Sequence, residues 1–188
     1  MVRYALLRTV LDPLLTVAGP EGLVSLEFLP DACSYHTRAH AVGRRLFPGS
    51  GDDPRPPEMR EDPEHFAELR QQLALYFTNR LKAFDLPLDL RGTTFQVKVW
   101  RQLLMIPYGK LRTYGELALA LGNPRATRAV GQAAGHNPLP ILVPCHRLIG
   151  KAGDMVGFAG GISTKARLLR LEGHYLGPTA HIEEPRLF

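Results

Sequence analysis

Residues 113–131 read Thr113-Tyr114-Gly115-Glu116-Leu117-Ala118-Leu119-Ala120-Leu121-Gly122-Asn123-Pro124-Arg125-Ala126-Thr127-Arg128-Ala129-Val130-Gly131. Thr113 with Glu116 three residues on is a capping box, in which each side chain satisfies a backbone N–H that a first helical turn leaves open. Leu117, Leu119 and Leu121 follow, and Gly122 ends the helix. Asn123 and Pro124 begin another, with Asn as N-cap and Pro in a first turn that makes no use of its missing N–H. This second helix runs to about Gly135. Two short helices joined by a tight turn predict a helix-turn-helix. The second helix is slim, built from Ala126, Ala129, Gly131, Ala133, Ala134 and Gly135, with Arg128 projecting. Such a profile suits close packing against a neighbouring helix or against a shallow groove.

Outward from this pair, Thr93 and Gln96 form an upstream capping box. The apolar stripe Phe95, Val99, Trp100, Leu103 and Leu104 follows and ends at Pro107-Tyr108-Gly109. Downstream, Leu139–Val143 reads as a buried strand, and Ser163 as the cap of a last helix through Ala166, Leu168, Leu169 and Leu171 that stops at Gly173. The N-terminal half has another texture. Val2–Val10, Leu14–Ala18 and Leu23–Leu29 read as antiparallel strands separated by Asp12-Pro13 and Gly19-Pro20-Glu21-Gly22. Residues 46–64, with five prolines, read as a loop without regular structure, and residues 64–83 as a helix with Phe66, Leu69, Leu73, Tyr76, Phe77 and Leu81 on one side. The predicted fold class is α/β (α+β) in two domains. Residues 1–90 form a small antiparallel sheet with a helix, residues 91–173 an all-helical domain, and residues 174–188 a C-terminal tail.

The 188-residue chain is 45% hydrophobic and 22% charged, as in an ordinary globular protein. No apolar run approaches the roughly 20 residues a membrane-spanning helix needs, and Met1-Val2-Arg3-Tyr4 shows no secretory signal. With Cys33 and Cys145 as its two cysteines, the chain cannot be a disulfide scaffold. A reducing compartment, the cytoplasm, is the expectation. Cys33, His36, His40 and His65 lack a recognised ligand spacing, so no metal and no cofactor is expected. The net charge of +5 is unevenly spread: residues 1–90 carry 10 Lys and Arg against 13 Asp and Glu, residues 91–172 carry 12 against 3. A surface so basic suits a polyanion, because phosphate contacts release counterions; a solvated basic face without a partner is the alternative.

Pro144-Cys145-His146-Arg147 follows the expected strand directly. On residue types alone, the pair reads as an activated thiol or as a structural Cys beside a solvent-facing His. In the same way Glu172 reads as a solvated helix-end charge, Tyr114 as a half-buried aromatic and Asn137 as a turn residue. The longer context decides. Asn137-Pro138 with Ile141-Leu142-Val143-Pro144-Cys145-His146-Arg147-Leu148-Ile149-Gly150 resembles the active-site signature of the methylated-DNA–protein-cysteine methyltransferases, the O6-alkylguanine-DNA alkyltransferases. The resemblance takes in Phe95-Gln96, Val99-Trp100, Ile106-Pro107-Tyr108-Gly109, Tyr114-Gly115-Glu116-Leu117, Arg128-Ala129-Val130-Gly131, Gly160-Gly161, Lys165, Leu168 and Glu172-Gly173. It covers residues 90–173 and is looser in the N-terminal half.

The resemblance implies a ribonuclease-H-like N-terminal domain, a winged-helix-like C-terminal one, and repair of duplex DNA carrying alkylated guanine. Cys145 is then the acceptor of a methyl or larger alkyl group from O6-alkylguanine, and O4-alkylthymine is a second expected substrate. His146 is the implied base, acting through a water, and Glu172 orients its imidazole. Tyr114 offers its hydroxyl to the departing base, and Asn137 holds the Cys145 segment. Arg128 fills the space left by a base flipped out from the minor groove. Asn123 and Lys151 touch the phosphate backbone, and Pro140, Leu148, Phe158 and Ala159 form the base pocket. Relatives often carry Ser where this chain has Ala159. A thioether has no good leaving group, so each molecule reacts once. The expected state is a monomer, with cooperative loading on DNA left open. The alternatives are a lesion sensor of the alkyltransferase-like type, whose members lack the acceptor Cys, a cysteine hydrolase, and a plain DNA-binding regulator.

Overall fold

The computed structural model describes residues 1–48 and 57–176. The chain divides into two compact units, Met1–Arg91 and Gly92–Phe188.

The N-terminal unit is a four-stranded sheet of order β3-β2-β1-β4, from β1 (Val2–Leu7), β2 (Leu14–Gly19), β3 (Gly22–Phe28) and β4 (Met59–Glu61). The first three strands are antiparallel, with Arg3 opposite Ala18 and Val17 opposite Ser25. β4 pairs parallel to β1, Arg3 opposite Arg60, so the sheet is mixed rather than purely antiparallel. β2 is one of the two interior strands and is buried throughout, which explains why its sequence shows no polar–apolar alternation. One face packs Val2, Tyr4, Leu15, Val17 and Val24 against Ala39 and Val42 of α1 (Tyr35–Leu46). Leu7, on the opposite face, lines a groove with Leu73 of α2 (Ala67–Phe77).

Two elements here differ from the sequence reading. Within residues 46–64, Met59–Glu61 is the strand β4 and Pro63–Phe66 a 3-10 turn that leads into α2; residues 49–56 lie outside the described ones. The helix α1 carries no strong apolar stripe, and only Ala39, Val42 and Gly43 are buried on it. Gly43 explains the economy: a Cβ there would collide with Met59 Sδ, so α1 approaches β4 through a bare backbone.

The second unit contains α3 (Thr94–Leu104), β5 (Arg112–Thr113), α4 (Tyr114–Ala120), α5 (Thr127–Gly135), β6 (Leu148–Ile149) and α6 (Gly161–Leu171). Both capping boxes form, Thr93 with Gln96 and Thr113 with Glu116. Asn123 Oδ1 accepts from the Arg125 N–H at 3.2 Å and caps the 3-10 turn Pro124–Ala126 that leads into α5. α4, the turn and α5 make the helix-turn-helix, and Trp100 Nε1 ties α3 to it by donating to the Ala133 carbonyl at 2.8 Å. The unit is not all-helical, since β5 and β6 pair in parallel. Nor does Ser163 cap α6, which begins at Gly161 after Gly160. The tail was expected from residue 174; residues 177–188 lie outside the described ones. Among the described residues no helix is long and apolar enough to cross a membrane.

The largest departure concerns Leu139–Val143. The segment is buried, as its composition requires, but it is not a strand: it holds only an isolated bridge between Pro140 and Val143. Pro138 and Pro140 have no N–H to give a ladder, and Ile141 has φ 77, a left-handed conformation that is an outlier for a β-branched residue.

Candidate active site

The turn that carries Cys145 is held by one side chain. Asn137 lies just beyond the C-terminus of α5 and is 5% exposed. Its Oδ1 accepts from the Leu139 N–H at 3.0 Å, and its Nδ2 donates to the Val143 carbonyl at 2.7 Å and to Cys145 Sγ at 3.1 Å. A buried backbone polar group left unpaired costs about 1–3 kcal/mol, so Asn137 supplies what the prolines withhold. Cys145–Arg147 then forms a single 3-10 turn.

Behind the sulfur lies a hub of charge. Glu172, at the C-cap of α6, accepts from His146 Nε2 at 2.8 Å and from Arg147 Nε at 2.9 Å and Nη2 at 2.9 Å. The Gly109 N–H adds a bond at 3.1 Å, and Arg147 Nη1 spans to the Ile106 carbonyl at 2.5 Å. Burial opposes ionisation of Glu172, but the hydrogen bonds from His146 and Arg147 outweigh it and hold the carboxyl well below the usual carboxylate range. Burial pushes His146 down from its ordinary value, against the pull of Glu172. The pair is therefore a carboxylate facing a neutral imidazole that donates from Nε2. Nδ1 then carries the lone pair, and the proton-accepting edge of the ring is the one turned from Glu172.

Burial also pushes the Cys145 thiol up; the Asn137 bond and the Lys165 charge work against this. Lys165 itself, on α6, is fully buried and is pushed down to about 8 by burial, opposed by the charge of Cys145. Its Nζ donates to the Leu148 carbonyl at 2.5 Å and the Val156 carbonyl at 3.2 Å. Tyr114 is pushed up to about 12, first by burial and then by the nearby Cys145 charge.

A cleft of about 450 Å³ opens beside Tyr114, lined by Thr127, Arg128, Gly131 and Gly135 of α5 and by residues 156–159. The residues that the sequence places together thus separate into four sets. Tyr114, Arg128, Phe158 and Ala159 share the cleft wall, and Phe158 meets the His146 ring edge-on at 6.4 Å. Cys145, His146, Glu172 and Asn137 form the buried hub. Pro140 and Leu148 are buried and lie outside the cleft lining; Leu148 is 0% exposed in β6. Asn123 and Lys151 are exposed, Asn123 at the turn before α5 and Lys151 after β6.

Residues 94–174 match the sequence model of the 6-O-methylguanine DNA methyltransferase DNA-binding domain, and residues 2–90 that of its ribonuclease-like domain. A methylated-DNA–protein-cysteine methyltransferase of Methanosarcina acetivorans is 41% identical over 170 residues, 90% of this chain and 97% of that protein. The chain belongs to the 6-O-methylguanine DNA methyltransferase family. A second relative of the same name, from Mycobacterium bovis, is 55% identical over 111 residues, 59% of this chain and 67% of that protein. The crystal structure of Mycobacterium tuberculosis OGT in complex with DNA superposes with a TM-score of 0.73 at 41% identity, covering 90% of this chain and 92% of that one.

In this methyltransferase chain, Arg147, Lys165 and Tyr108 belong to the matched signature, and their work is visible only in the folded protein. Arg147 locks Glu172, and Tyr108 donates to the Leu171 carbonyl at 2.8 Å beside it. One signal was present for Lys165. It sits three and four residues before Leu168 and Leu169, on the buried face of α6, where an unpaired cation would not be tolerated.

Proposed function

We propose that this chain repairs duplex DNA by moving a methyl or larger alkyl group from the O6 atom of guanine to Cys145, once per molecule. The observation that carries the reading is the buried Cys145 turn, held by Asn137 and backed by the His146–Glu172 pair, whose imidazole meets Phe158 of a cleft of about 450 Å³. The flipped base enters the cleft between α5 and residues 156–159, and Arg128, on the same wall, occupies the gap in the stack. The slim α5 approaches a minor groove, which reads little sequence and suits a protein that must act in any surrounding sequence. Asn123 and Lys151 take the phosphates.

The thiol proton passes through a water to the lone-pair nitrogen of His146, and Glu172 stabilises the imidazolium that results. The thiolate sulfur forms a bond to the alkyl carbon as the carbon–O6 bond breaks. The electron pair goes to the guanine ring, which accepts a hydrogen bond from the Tyr114 hydroxyl and takes up the proton that left Cys145. The product is a thioether and a restored guanine. O4-alkylthymine presents the same ether on a flat ring and is the second substrate we propose. In this reading residues 1–90 are the N-terminal domain, residues 91–173 the DNA-binding alkyltransferase domain and residues 174–188 a tail. Every group named belongs to one chain, so a monomer suffices, and a free thiol fits the reducing cytoplasm.

The test is an intact mass after incubation with duplex DNA containing O6-methylguanine. A gain of one methyl, absent in Cys145→Ala, is expected; an unchanged mass with the duplex bound overturns the reading.

A further inference from the structure

We infer that Lys165 is a positioning residue for this transfer: by holding the Val156 carbonyl, which Tyr114 also holds, it lets the Tyr114 hydroxyl be handed from the cleft wall to the entering base. The inference rests on the proposed function and adds a step to it. The Val156 carbonyl accepts from Tyr114 Oη at 2.8 Å and from Lys165 Nζ at 3.2 Å. A carbonyl has two lone pairs, whereas a tyrosine has one O–H. That O–H is spent on residue 156 in the protein without DNA, so a base can receive it only if Val156 gives it up.

Lys165 makes the exchange cheap. Val156, Gly157, Phe158 and Ala159 form one wall of the cleft, and a base lodged there excludes the water that would otherwise solvate the carbonyl. With Lys165 in place, Val156 keeps one donor after Tyr114 leaves. Without it, the carbonyl's remaining protein bond is the one Tyr114 must break. The same ammonium bonds the Leu148 carbonyl, the residue after the Cys145–Arg147 turn, so one side chain ties the sulfur's turn to the wall. Within the wall Gly157 has φ 50, a left-handed conformation that glycine adopts at no steric cost, so the backbone there does not stiffen itself. An ammonium has three N–H donors and a neutral amine two, so both bonds persist on either side of the Lys165 titration at about 8.

A double-mutant cycle tests this in the full chain: wild type, Lys165→Met, Tyr114→Phe and the double variant, each in single-turnover transfer from duplex O6-methylguanine. Lys165→Met is expected to slow transfer roughly tenfold or more where Tyr114 is intact. In the Tyr114→Phe background, with no hydroxyl to hand over, it is expected to slow transfer by a clearly smaller factor, the part that loss of the Lys165 charge takes from the Cys145 thiolate. Equal factors in both backgrounds, or no slowing in the first, overturn the handover. Alkylation of Cys145 by iodoacetamide without DNA reports the sulfur alone. A loss there as large as the loss in transfer means Lys165 acts on the thiol, which also overturns it. Should Lys165→Met fail to fold, hydrogen exchange of residues 152–159 decides. In Tyr114→Phe the wall stays protected if Lys165 holds it; exchange at the rate of an open loop contradicts the tie. A wild type that gains no methyl refutes the repair reading itself, whatever the variants do.

Discussion

The two units bury different things. In the N-terminal unit the described core is apolar except for Thr16 and Ser25. In the second unit Asn137, His146, Arg147, Thr164, Lys165 and Glu172 are all buried. Burying a charge is costly unless it is paired and hydrogen-bonded, and a well-packed apolar replacement is often as stable or more so. A fold alone has no need of such a cluster. The N-terminal unit shows the chain can build a core without one, so the second unit spends stability on holding a sulfur, an imidazole and a carboxylate in fixed relation.

Substitutions that move polarity between the two cores break or sharpen that contrast. The largest effect is expected from Glu172→Gln, which leaves the Arg147 guanidinium buried without its carboxylate. A loss of about 3–5 kcal/mol in denaturant unfolding is expected, with alkyl transfer collapsing alongside. A wild-type midpoint would mean the cluster is not what the second core depends on. Asn137→Ala comes next. It removes donors and an acceptor from Val143, Leu139 and Cys145, and a loss of about 2–3 kcal/mol is expected, with slower alkylation of Cys145 by a small electrophile. Unaltered thiol reactivity would separate the turn from the chemistry.

Acid sensitivity is the third contrast. His146 is held below its ordinary value of 6.5 by burial, so the unfolded chain binds more protons than the folded one below that pH. Stability is therefore complete above about 6.5 and falls as pH drops through it. The depressed Glu172 adds a further loss below the ordinary carboxylate value of 4.5. His146→Gln should flatten the first part of a stability-against-pH curve; an unchanged slope would place the titrating group elsewhere. The smallest effect is expected in the N-terminal unit. Among the described residues Thr16 Oγ1 is buried with no hydrogen-bond partner, so Thr16→Val should leave stability unchanged or raise it by about 1 kcal/mol. A clear loss would reveal a partner for that hydroxyl.

The same contrast explains what could be read from the sequence. Local signals survived folding. The Thr93–Gln96 and Thr113–Glu116 boxes, the Asn123 cap and the β1–β3 meander are made by residues close in the chain, and they stand where their spacing puts them. Long-range bonds were not legible. β4 pairs with β1 across more than fifty residues, and α1 packs through small side chains that leave little apolar pattern. Leu139–Val143 looked like a strand because burial and β-branching are shared by any buried segment; its prolines and the Asn137 side chain decided otherwise. Cys145, His146 and Glu172 were picked out through a family resemblance, since composition alone left each of them an ordinary alternative. The tasks of Arg147 and Lys165 depend on carbonyls and a carboxylate distant in sequence, which no local pattern announces.

Whether Cys145 is the acceptor is tested most directly by stoichiometry. The protein is titrated with duplex carrying O6-methylguanine, and S-methylcysteine is counted per chain by peptide mass mapping. The expected plateau is one methyl per chain, on Cys145 and not on Cys33, with no further turnover in excess substrate. A plateau at zero, methylation of another residue, or continued turnover would contradict it.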